Sequence, residues 1–449
     1  MDTCFPERPR AVLITLGCRV NQYESDVIAG DLEADGFDIV PLGEKADITI
    51  VNTCTVTAES DRKSRQHIRR AVAFNPDAPL IVTGCFAQVS PADAAALAGV
   101  SAVVGNGDKA DIPALAKRLI AGEKGSFTVS DIMTAPYDNM TLHTPRRARA
   151  YIKIEDGCEN HCSYCIIPAA RGKIRSKLPA IAVEEAKTIA RTGCQEIIIT
   201  GIETAAYGRD SGGAFSLLSL MQELQHVEGI TRITMGSLDP SLMKDSFLQG
   251  LTEIPSVLRH FHLSLQSGSS SVLRRMRRPY NADQAMNRIE KLHELFPDAM
   301  LSADVIVGFP GETPEEFEET LAFCRKAKFM HLHIFPYSIR RGTEAASLPG
   351  QVSDPEKKRR AAELARLQNS IKKDLLQTYT TDHRENPIFL LIEEEYNGYW
   401  LGHSEHYVEV RIPASAETEP GEVIPVLLTE SSDEFCYGKT AVSEENSKK

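Results

Sequence analysis

The sequence lacks any apolar run long enough to cross a membrane. Of its 449 residues, 42% are hydrophobic and 25% are charged, the balance of an ordinary globular protein, and no stretch approaches 18 uninterrupted apolar residues. The N-terminal stretch MDTCFPERPRAV also lacks a basic region followed by an apolar segment of signal-peptide length. These absences predict a cytoplasmic protein with no membrane partner, and the length suffices for about three domains.

An excess of positive charge is also missing, since the formal net charge is -12. The acidic charge is concentrated at one end of the chain. Residues 378–443 hold 13 Asp and Glu against 3 Lys and Arg, so this segment accounts for -10 and the remainder for only -2. Net charge therefore does not exclude an RNA partner.

The ten cysteines do not have the distribution of a secreted disulfide framework. Three of them, Cys158, Cys162 and Cys165, lie in the stretch GCENHCSYCIIP, which contains no fourth thiol. Soft thiolates bind zinc, copper(I) or iron-sulfur clusters, and structural zinc normally has four protein ligands. The spacing resembles the signature of radical S-adenosylmethionine (SAM) enzymes, in which a cluster held by three cysteines leaves one iron open for SAM. An incomplete zinc knuckle and a set of buried core cysteines are the alternatives.

A second set of cysteines follows three predicted strands in the first part of the chain. Over residues 10–122, short β-branched runs alternate with amphipathic helical segments, which predicts an open parallel α/β domain. The runs VLITLGC, ITIVNTC and LIVTGC end at Cys18, Cys54 and Cys85. Because such sheets bind ligands at the carboxyl ends of their strands, we expect the three thiols to meet and hold a second open cluster. Buried core thiols are the alternative. Packing thiols are the interpretation for Cys4, Cys194, Cys324 and Cys436.

The middle of the chain predicts an incomplete parallel barrel. After a linker at residues 126–149, six strand candidates follow in order: AYIKIED, EIIITGI, RITMGS, HFHLSLQ, LSADVIVGF and HLHIFPYS. Helical segments separate them, and one begins at a capping box formed by Thr313 and Glu316. Chemistry in such barrels occurs at the carboxyl ends of the strands, and the Cys158 loop directly follows the first strand.

Polar residues follow or end several of these strands. Gly201 and Glu203 follow the second strand, Gln266 ends the fourth, and Asp304 lies in the fifth. Ordinary surface loops are one interpretation. Their convergence at one barrel mouth favours a SAM pocket, in which the glycine allows close approach and Glu203 accepts the ammonium of SAM. Tyr164, inside the cysteine motif, completes the set of candidate SAM contacts, and no residue is assigned as an acid or base catalyst.

The last part of the chain predicts a long helix and a small antiparallel β-barrel. The helix begins at Asp354 and ends near Leu376, and its KKRR run at 357–360 is interpreted as a solvated face. The β-rich module follows at 378–443, and residues 444–449 are expected to be disordered. Its aromatic residues are candidates for base stacking or, more commonly, for cross-strand pairs: Tyr396, Tyr399, Trp400 and Tyr407.

Taken together, these features resemble the methylthiotransferase family of radical SAM enzymes from residue 10 to about 443. The motifs that match are TLGCRVNQYES, NTCTVT, KIEDGCENHCSYCIIPAARG, HFHLSLQSGS, DVIVGFPGET and FPYSIRRGT. The first and fourth are most similar to the branch that acts on N6-threonylcarbamoyladenosine at position 37 of tRNA. The resemblance implies an N-terminal α/β domain at 8–125, a partial (βα)6 radical SAM barrel at 144–376 and a TRAM-like β domain at 378–443.

The resemblance also implies two 4Fe-4S clusters and SAM. The cluster on Cys158, Cys162 and Cys165, reduced by an electron donor protein, would cleave SAM to a radical that removes the hydrogen at C2 of the adenine. The second cluster would deliver the methylated sulfur. Such chemistry must come from cofactors, because an adenine C2–H is not acidic. A base leaves its stack most easily in a single-stranded loop such as the tRNA anticodon loop. Candidate phosphate contacts lie at 69–70, 146–149, 171–177 and 274–278.

Two other functions stay open. The same chemistry on an aspartate of a ribosomal protein is favoured by the acidic C-terminal module, which departs from the RNA-binding module of the family. A non-catalytic iron-sulfur or zinc protein that binds RNA would use the same cysteines without cleaving SAM.

Overall fold

The computed structural model describes residues 8–415 and 418–441. It contains a six-stranded parallel sheet, a set of parallel strands that form an incomplete barrel, and a closed five-stranded β-barrel, which confirms the predicted α/β fold class. Cys4, the segment 444–449 and the last two positions of the predicted module lie outside the described residues. Within the described ranges, every helix is too short or too polar to cross a lipid bilayer.

The first domain is an open parallel sheet with helices on both faces. Its strands are β1 (Arg10–Thr15), β2 (Asp38–Ile39), β3 (Ile48–Thr53), β4 (Leu80–Gly84), β5 (Ala102–Val104) and β6 (Phe127–Thr128), in the spatial order β2-β1-β3-β4-β5-β6. Its helices are α1 (Arg19–Ala34), α2 (Ala58–Phe74), α3 (Cys85–Val89), α4 (Pro91–Ala95) and α5 (Ile112–Ile120). Every residue of β3 and β4 is buried, as expected for central strands covered on both faces.

The central domain consists of parallel strands with helices outside them and of one short antiparallel pair at residues 155–156 and 175–176. Its strands are β7 (Arg149–Lys153), β8 (Glu155–Asp156), β9 (Arg175–Ser176), β10 (Glu196–Thr200), β11 (Arg232–Met235), β12 (Ser237–Leu238), β13 (His260–Gln266), β14 (Met300–Val307) and β15 (His331–Pro336). Its helices are α6 (Ile167–Arg171), α7 (Pro179–Ala190), α8 (Leu217–Leu224), α9 (Asp245–Leu251), α10 (Ser270–Arg275), α11 (Ala282–Leu295), α12 (Pro314–Ala327) and α13 (Asp354–Asp382). Short 3-10 turns lie at Lys109–Asp111, Thr204–Ala206, Arg209–Ser211, Pro240–Leu242 and Glu344–Ser347.

The barrel strands alternate between the hydrophobic core and the barrel lumen. On β13, Phe261, Leu263 and Leu265 belong to the core under the helices, so the residues between them face the lumen. The predicted third strand divides at Gly236 into β11 and β12. A Cβ at Gly236 would lie 2.7 Å from the Ile199 carbonyl oxygen, so the neighbouring backbone passes too close for a side chain.

The first domain fills the side of the barrel that the strands leave open. The edge strands β7 and β15 do not pair with each other. Beside β7, the Tyr23 hydroxyl of α1 donates to Glu185 at 2.8 Å. Beyond β15, Arg340 pairs with Asp61 at 2.6 Å, next to the start of α2. The lumen is therefore enclosed partly by barrel strands and partly by the first domain.

The C-terminal barrel covers the amino-terminal ends of the parallel strands. Its strands are β16 (Ile388–Tyr396), β17 (Tyr399–His403), β18 (Glu409–Pro413), β19 (Val423–Ser431) and β20 (Cys436–Thr440), closed in the order β16-β17-β18-β20-β19. The Arg232 guanidinium donates to the carbonyl oxygens of Phe389 at 3.0 Å and His403 at 3.1 Å. The Tyr407 ring stacks on His260 with centroids 4.7 Å apart. The module thus forms the floor of the lumen and leaves the carboxyl ends of the strands as its mouth.

Two expectations for α13 are wrong. The helix continues past Leu376 to Asp382, because Tyr379 is buried against the C-terminal barrel. The KKRR run is not a uniformly solvated face, since Lys357 and Arg360 are buried. The Arg360 guanidinium pairs with Glu312 at 2.8 Å, so it ties the helix to the loop after β14.

Of the four candidate aromatic residues of the module, two form the cross-strand pair that was one of the interpretations. Tyr396 and Tyr399 lie opposite each other on β16 and β17 and are exposed. Trp400 is buried, and its indole N–H donates to the Ser415 carbonyl oxygen at 3.3 Å. Trp400 is therefore part of the core of the module, and Tyr407 is part of the lumen floor.

Candidate functional site

The loop with Cys158, Cys162 and Cys165 lies between β8 and α6 at the barrel mouth. It turns at Gly157, whose φ is +92° and where a Cβ would lie 1.9 Å from the Lys173 carbonyl oxygen. The backbone N–H of Asn160 donates to the Cys158 sulfur at 3.4 Å, and that of Ile167 donates to the Cys165 sulfur at the same distance. The loop thus aims amide donors at its sulfurs, as iron-sulfur sites do.

Arg278 supplies a charged donor to the same loop. Its Nη1 donates to the Cys162 sulfur at 3.3 Å, and its Nη2 pairs with Asp239. Burial raises the pKa of the Cys158 thiol to about 12, so the sulfur binds a proton at neutral pH until a metal replaces it. The donor set is thus three soft sulfurs with polar hydrogens directed at them, which suits a cluster better than an apolar thiol core.

The second set of cysteines occupies three neighbouring strand ends, as predicted. Cys18 follows β1 and precedes α1, Cys54 follows β3, and Cys85 begins α3 directly after β4. Since β1, β3 and β4 are adjacent in the sheet, the three loops lie side by side. A Cβ at Gly17 would lie 2.8 Å from the Cys54 Cβ, so the first two loops touch. Burial, and then the charge of the neighbouring Cys85, raise the pKa of the Cys54 thiol to about 11.

A buried group of charged side chains next to Cys85 joins the first domain to the barrel. The Arg171 guanidinium, at the end of α6, donates from Nε to the Cys85 sulfur at 3.4 Å and from Nη1 to Glu24 at 2.5 Å. Lys109 and Lys153 also pair with Glu24, and the three cations come from both domains. Burial alone would raise the pKa of Glu24, but these cations hold it well below its usual range, so the carboxylate is charged.

Helix α6 also fixes the separation of the two cysteine sets. It begins two residues after Cys165 and ends at Arg171, which contacts Cys85. A five-residue helix rises about 1.5 Å per residue, and an arginine side chain adds a few ångströms, so the sets lie at most about 20 Å apart. Both therefore border the same lumen mouth.

Two candidate SAM contacts lie beside the Cys158 loop. The Asn160 side chain donates to Glu203 at 2.9 Å. Burial, and then the charge of Asp239, raise the pKa of Glu203 to about 7. A Cβ at Gly201 would lie 2.9 Å from a carboxylate oxygen of Glu155, so the glycine allows a close backbone approach. The assignment of Glu203 and Gly201 to SAM remains a prediction.

The other candidate contacts occupy different surroundings. Tyr164 packs edge-on against Phe309, with ring centroids 6.5 Å apart. Gln266 has a φ of +71° and ends the irregular part of β13 at the mouth. Asp304 lies on the lumen wall, where its carboxylate is 3.3 Å from the His262 imidazole. Asp304 therefore lies beside a group of histidines, among them His262 and His333, that sequence reasoning did not identify.

The structure corrects the assignment of residues 171–177 as phosphate contacts for all of their basic side chains except Lys173, which is exposed. Arg171, Arg175 and Lys177 are buried and paired within the protein, so their charges are not available to a backbone phosphate. Lys177, for example, pairs with Glu185 beside α1. In the segment 146–149 the arginines pair with acidic groups of the first and third domains. Exposed basic side chains remain at Arg69, Arg70, Lys173, Arg274 and Arg277, of which Arg277 pairs with Glu344 at 2.6 Å.

Two family models match the chain. The model of the radical SAM superfamily matches residues 152–324, which include the Cys158 loop and most of the barrel. The model of the uncharacterized protein family UPF0004 matches residues 10–105, which include Cys18, Cys54 and Cys85.

Curated relatives cover nearly the whole chain. The threonylcarbamoyladenosine tRNA methylthiotransferase MtaB of Bacillus subtilis is 37% identical over 95% of this chain and 95% of its own. The protein of the same name from Aquifex aeolicus is 33% identical over 92% of this chain and 98% of its own. A tRNA-2-methylthio-N(6)-dimethylallyladenosine synthase, also from Aquifex aeolicus, is 32% identical over 86% of this chain and 89% of its own.

Solved structures share the fold at low sequence identity. The radical S-adenosylmethionine methyltransferase TsrM from Kitasatospora setae, with tryptophan substrate and a SAM analogue bound, is similar with a TM-score of 0.54 and 16% identity. The similarity covers 73% of this chain and 73% of that one. The cobalamin-dependent S-adenosylmethionine radical enzyme OxsB is similar with a TM-score of 0.52 and 11% identity, over 85% of this chain and 62% of that one.

Proposed function

The chain belongs to the radical SAM methylthiotransferase family, and from that premise we propose that it inserts a methylthio group at C2 of N6-threonylcarbamoyladenosine at position 37 of tRNA. As a family member it uses SAM and two 4Fe-4S clusters. The observation that carries the proposal is the position of two three-cysteine sets at one barrel mouth, connected by α6. One set suits SAM cleavage, and the other suits delivery of sulfur to a base held between them.

The residues of both sets fit the clusters that the family uses. Each set offers three soft sulfurs, and each includes a sulfur that accepts a hydrogen bond from a guanidinium, Arg278 at Cys162 and Arg171 at Cys85. When bound, SAM and the two clusters supply the radical and the sulfur that no side chain can supply. The chain itself contributes positioning. Glu203 accepts hydrogen bonds from the ammonium group of SAM. Arg278 and Arg171 hold the loops that carry the cysteine ligands.

Enclosure of the lumen is the second contribution of the chain. The first domain covers the open side of the barrel, and the C-terminal module covers its floor. A base that enters from the mouth therefore leaves bulk water behind, which protects a reactive radical from side reactions. A flipped base of an anticodon loop is the kind of substrate that can enter such an enclosed lumen.

The proposed RNA partner is compatible with the acidic C-terminal module. That module packs at the amino-terminal ends of the strands, opposite the mouth, so its negative charge lies away from the proposed RNA entry. The acidity of the module was the observation that favoured a ribosomal-protein substrate. Because the module lies opposite the mouth, its acidity no longer argues against an RNA substrate. Exposed Arg274 follows β13 on the mouth side and is the proposed phosphate contact, whereas nearby Arg277 pairs with Glu344 at 2.6 Å. The proposal also includes a reduced electron donor protein and a cytoplasmic location, where tRNA is modified.

Mass spectrometry of tRNA nucleosides tests the proposal. A strain in which the gene is deleted should lack 2-methylthio-N6-threonylcarbamoyladenosine and accumulate the unmethylthiolated precursor. Expression of the intact chain should restore the product, and expression of the Cys54→Ala variant should not. An undiminished pool of the methylthio nucleoside in the deletion strain would refute the tRNA substrate.

A further inference from the structure

The lumen wall formed by β13, β14 and β15 carries a group of polar side chains, of which only Asp304 was a candidate SAM contact. We call it the histidine wall, and it consists of His260, His262, Ser302, Asp304, His331 and His333. The ligand atoms of His262, Asp304 and His333 all lie within 4.8 Å of one another. The register explains the grouping, since Asp304 pairs with His333 and Ser302 with His331 on adjacent parallel strands.

Internal hydrogen bonds orient the wall. The Ser302 hydroxyl lies 2.9 Å from the His260 Nε2 and 2.8 Å from the His262 Nδ1. The other nitrogen of His262 lies 3.3 Å from the Asp304 carboxylate. His333 has no hydrogen bond in the part of the chain that the structure describes, and its ring contacts are to His262 and His331. It is more than one-third exposed, so it offers its nitrogens to the lumen.

The wall has neighbours that adjoin each of the two cysteine sets. On one side, the carbonyl oxygen of Ser264, which follows His262 on the lumen face of β13, accepts a hydrogen bond from Arg278 at 3.2 Å. Arg278 in turn contacts Cys162. On the other side, Arg19 directly follows Cys18, and its charge contributes to lowering the pKa of His333, after burial and the charge of His262. A base held between the cysteine sets therefore has the wall beside it.

We propose that the histidine wall binds the polar amino-acid substituent on N6 of the substrate base and selects it over an apolar substituent. This inference rests on the proposed function and names the part of the site that sets its specificity. C2 and the carbon that carries N6 flank the same ring nitrogen of adenine. A base that directs C2 toward the clusters therefore extends its N6 substituent along an adjacent wall.

The chemistry of the wall matches a threonylcarbamoyl group. That substituent carries an amide N–H and a hydroxyl, from which the Asp304 carboxylate accepts hydrogen bonds. It also carries a carboxylate, which the guanidinium of Arg19 and the imidazole N–H groups of the wall attract. A dimethylallyl group has no polar atom. It would leave the wall without partners in a dehydrated lumen, which is the arrangement that rejects an analogue most strongly. The relatives named above fall into these same two substrate classes.

The test compares two RNA substrates with one histidine variant. Anticodon stem-loops with N6-threonylcarbamoyladenosine or N6-dimethylallyladenosine at position 37 are given to the reconstituted enzyme, and kcat/KM for methylthiolation is measured for each. His333→Phe keeps an aromatic ring at this position and removes the two nitrogens that could hydrogen-bond to the substrate. It should lower kcat/KM for the threonylcarbamoyl RNA by about 10- to 100-fold and should not lower that for the dimethylallyl RNA. His333→Asn, which keeps a donor and an acceptor, should recover part of the loss.

His67→Phe, the same change on α2 of the first domain, is the matched control and should leave both values unchanged. Iron content and circular dichroism of each variant establish that it is folded and loaded. An unchanged preference in folded His333→Phe would overturn the proposal. One further metal ion per chain, found in addition to the eight irons of two clusters and lost in His333→Phe, would also overturn it in favour of a cation site. If the intact enzyme modified neither RNA, the proposed function itself would fail.

Discussion

The charge group around Glu24 leads to a prediction about how the domains stay together. Glu24 lies on α1 of the first domain, while Lys153 and Arg171 belong to the barrel. The Glu24 side chain has no exposed surface, and neither has that of Arg171. In Glu24→Gln the shape is kept and the negative charge is lost. Lys153 and Arg171 then keep Asp156 as a carboxylate partner, and Lys109 loses its ion pair with Glu24.

The magnitude follows from the burial. Removal of one partner from a buried ion pair costs about 3–5 kcal/mol, because the other charge stays in a medium of low dielectric constant without compensation. Since every 1.4 kcal/mol is a factor of ten, the domains of Glu24→Gln should separate about 100- to 4,000-fold more often than those of the native protein. A surface pair offers the control. Glu59 and Arg62 pair on exposed α2, and Glu59→Gln should have no measurable effect.

Native-state proteolysis measures the opening, with cleavage in the linker at residues 129–148 as the readout. When closing is faster than cleavage, the cleavage rate follows the population of the open form. Because the pKa of Glu24 is lowered in the folded protein, its contribution is fully present above the unfolded pKa of about 4.5 and is lost as the pH falls through the folded value. The native protein and Glu24→Gln should therefore differ most near neutral pH and converge in acid. A cleavage rate within threefold of the native rate at pH 7 would refute the reasoning.

Three further predictions concern the cluster and SAM residues. Cys162→Ala should abolish SAM cleavage, whereas Cys54→Ala should spare cleavage and stop sulfur insertion; equal loss of cleavage, measured as 5′-deoxyadenosine formed, would contradict the division of roles. Arg278→Met removes a charged hydrogen bond to a cluster sulfur, so a redox titration followed by electron paramagnetic resonance should give a more negative potential; an unchanged potential would exclude this role. Because the pKa of Glu203 is about 7, SAM affinity measured by equilibrium dialysis should fall below pH 7; Glu203→Gln should bind more weakly with little pH dependence, and an unaltered pH profile would remove Glu203 from the SAM site.

The sequence was sufficient to predict where the cysteines lie along the fold. Cys18, Cys54 and Cys85 each follow a β-branched run, and the connectivity of parallel α/β sheets places such positions at one edge. What it could not predict was the burial of the charges behind them. Arg171 stands in a basic stretch that suggested phosphate contacts, and its partner Glu24 lies 147 positions earlier in the chain. Only the docking of α1 on the barrel brings the two together.

The histidine wall shows a similar limit. HFHLSLQ was predicted as a strand of the barrel, and Asp304 was predicted as a SAM contact at the barrel mouth. Its grouping with His333 depends on the register of β14 and β15, which a period of two leaves undetermined. The length of α13 was underestimated for a related reason, since Tyr379 is helical because of its packing against a later module.

The position of the first domain against the open side of the barrel has a consequence for how this protein can be divided. A fragment that began after the linker would expose a strip of lumen along β7 and β15 and would bring Lys153 and Arg171 to its surface without Glu24. The complementary fragment, the first domain alone, would keep Cys18, Cys54, Cys85 and the Glu24 carboxylate but would lack the barrel that they face. Neither half is a smaller version of the enzyme, so insertions, fusions and truncations should be tolerated at the far side of the C-terminal module and not at the join between the halves.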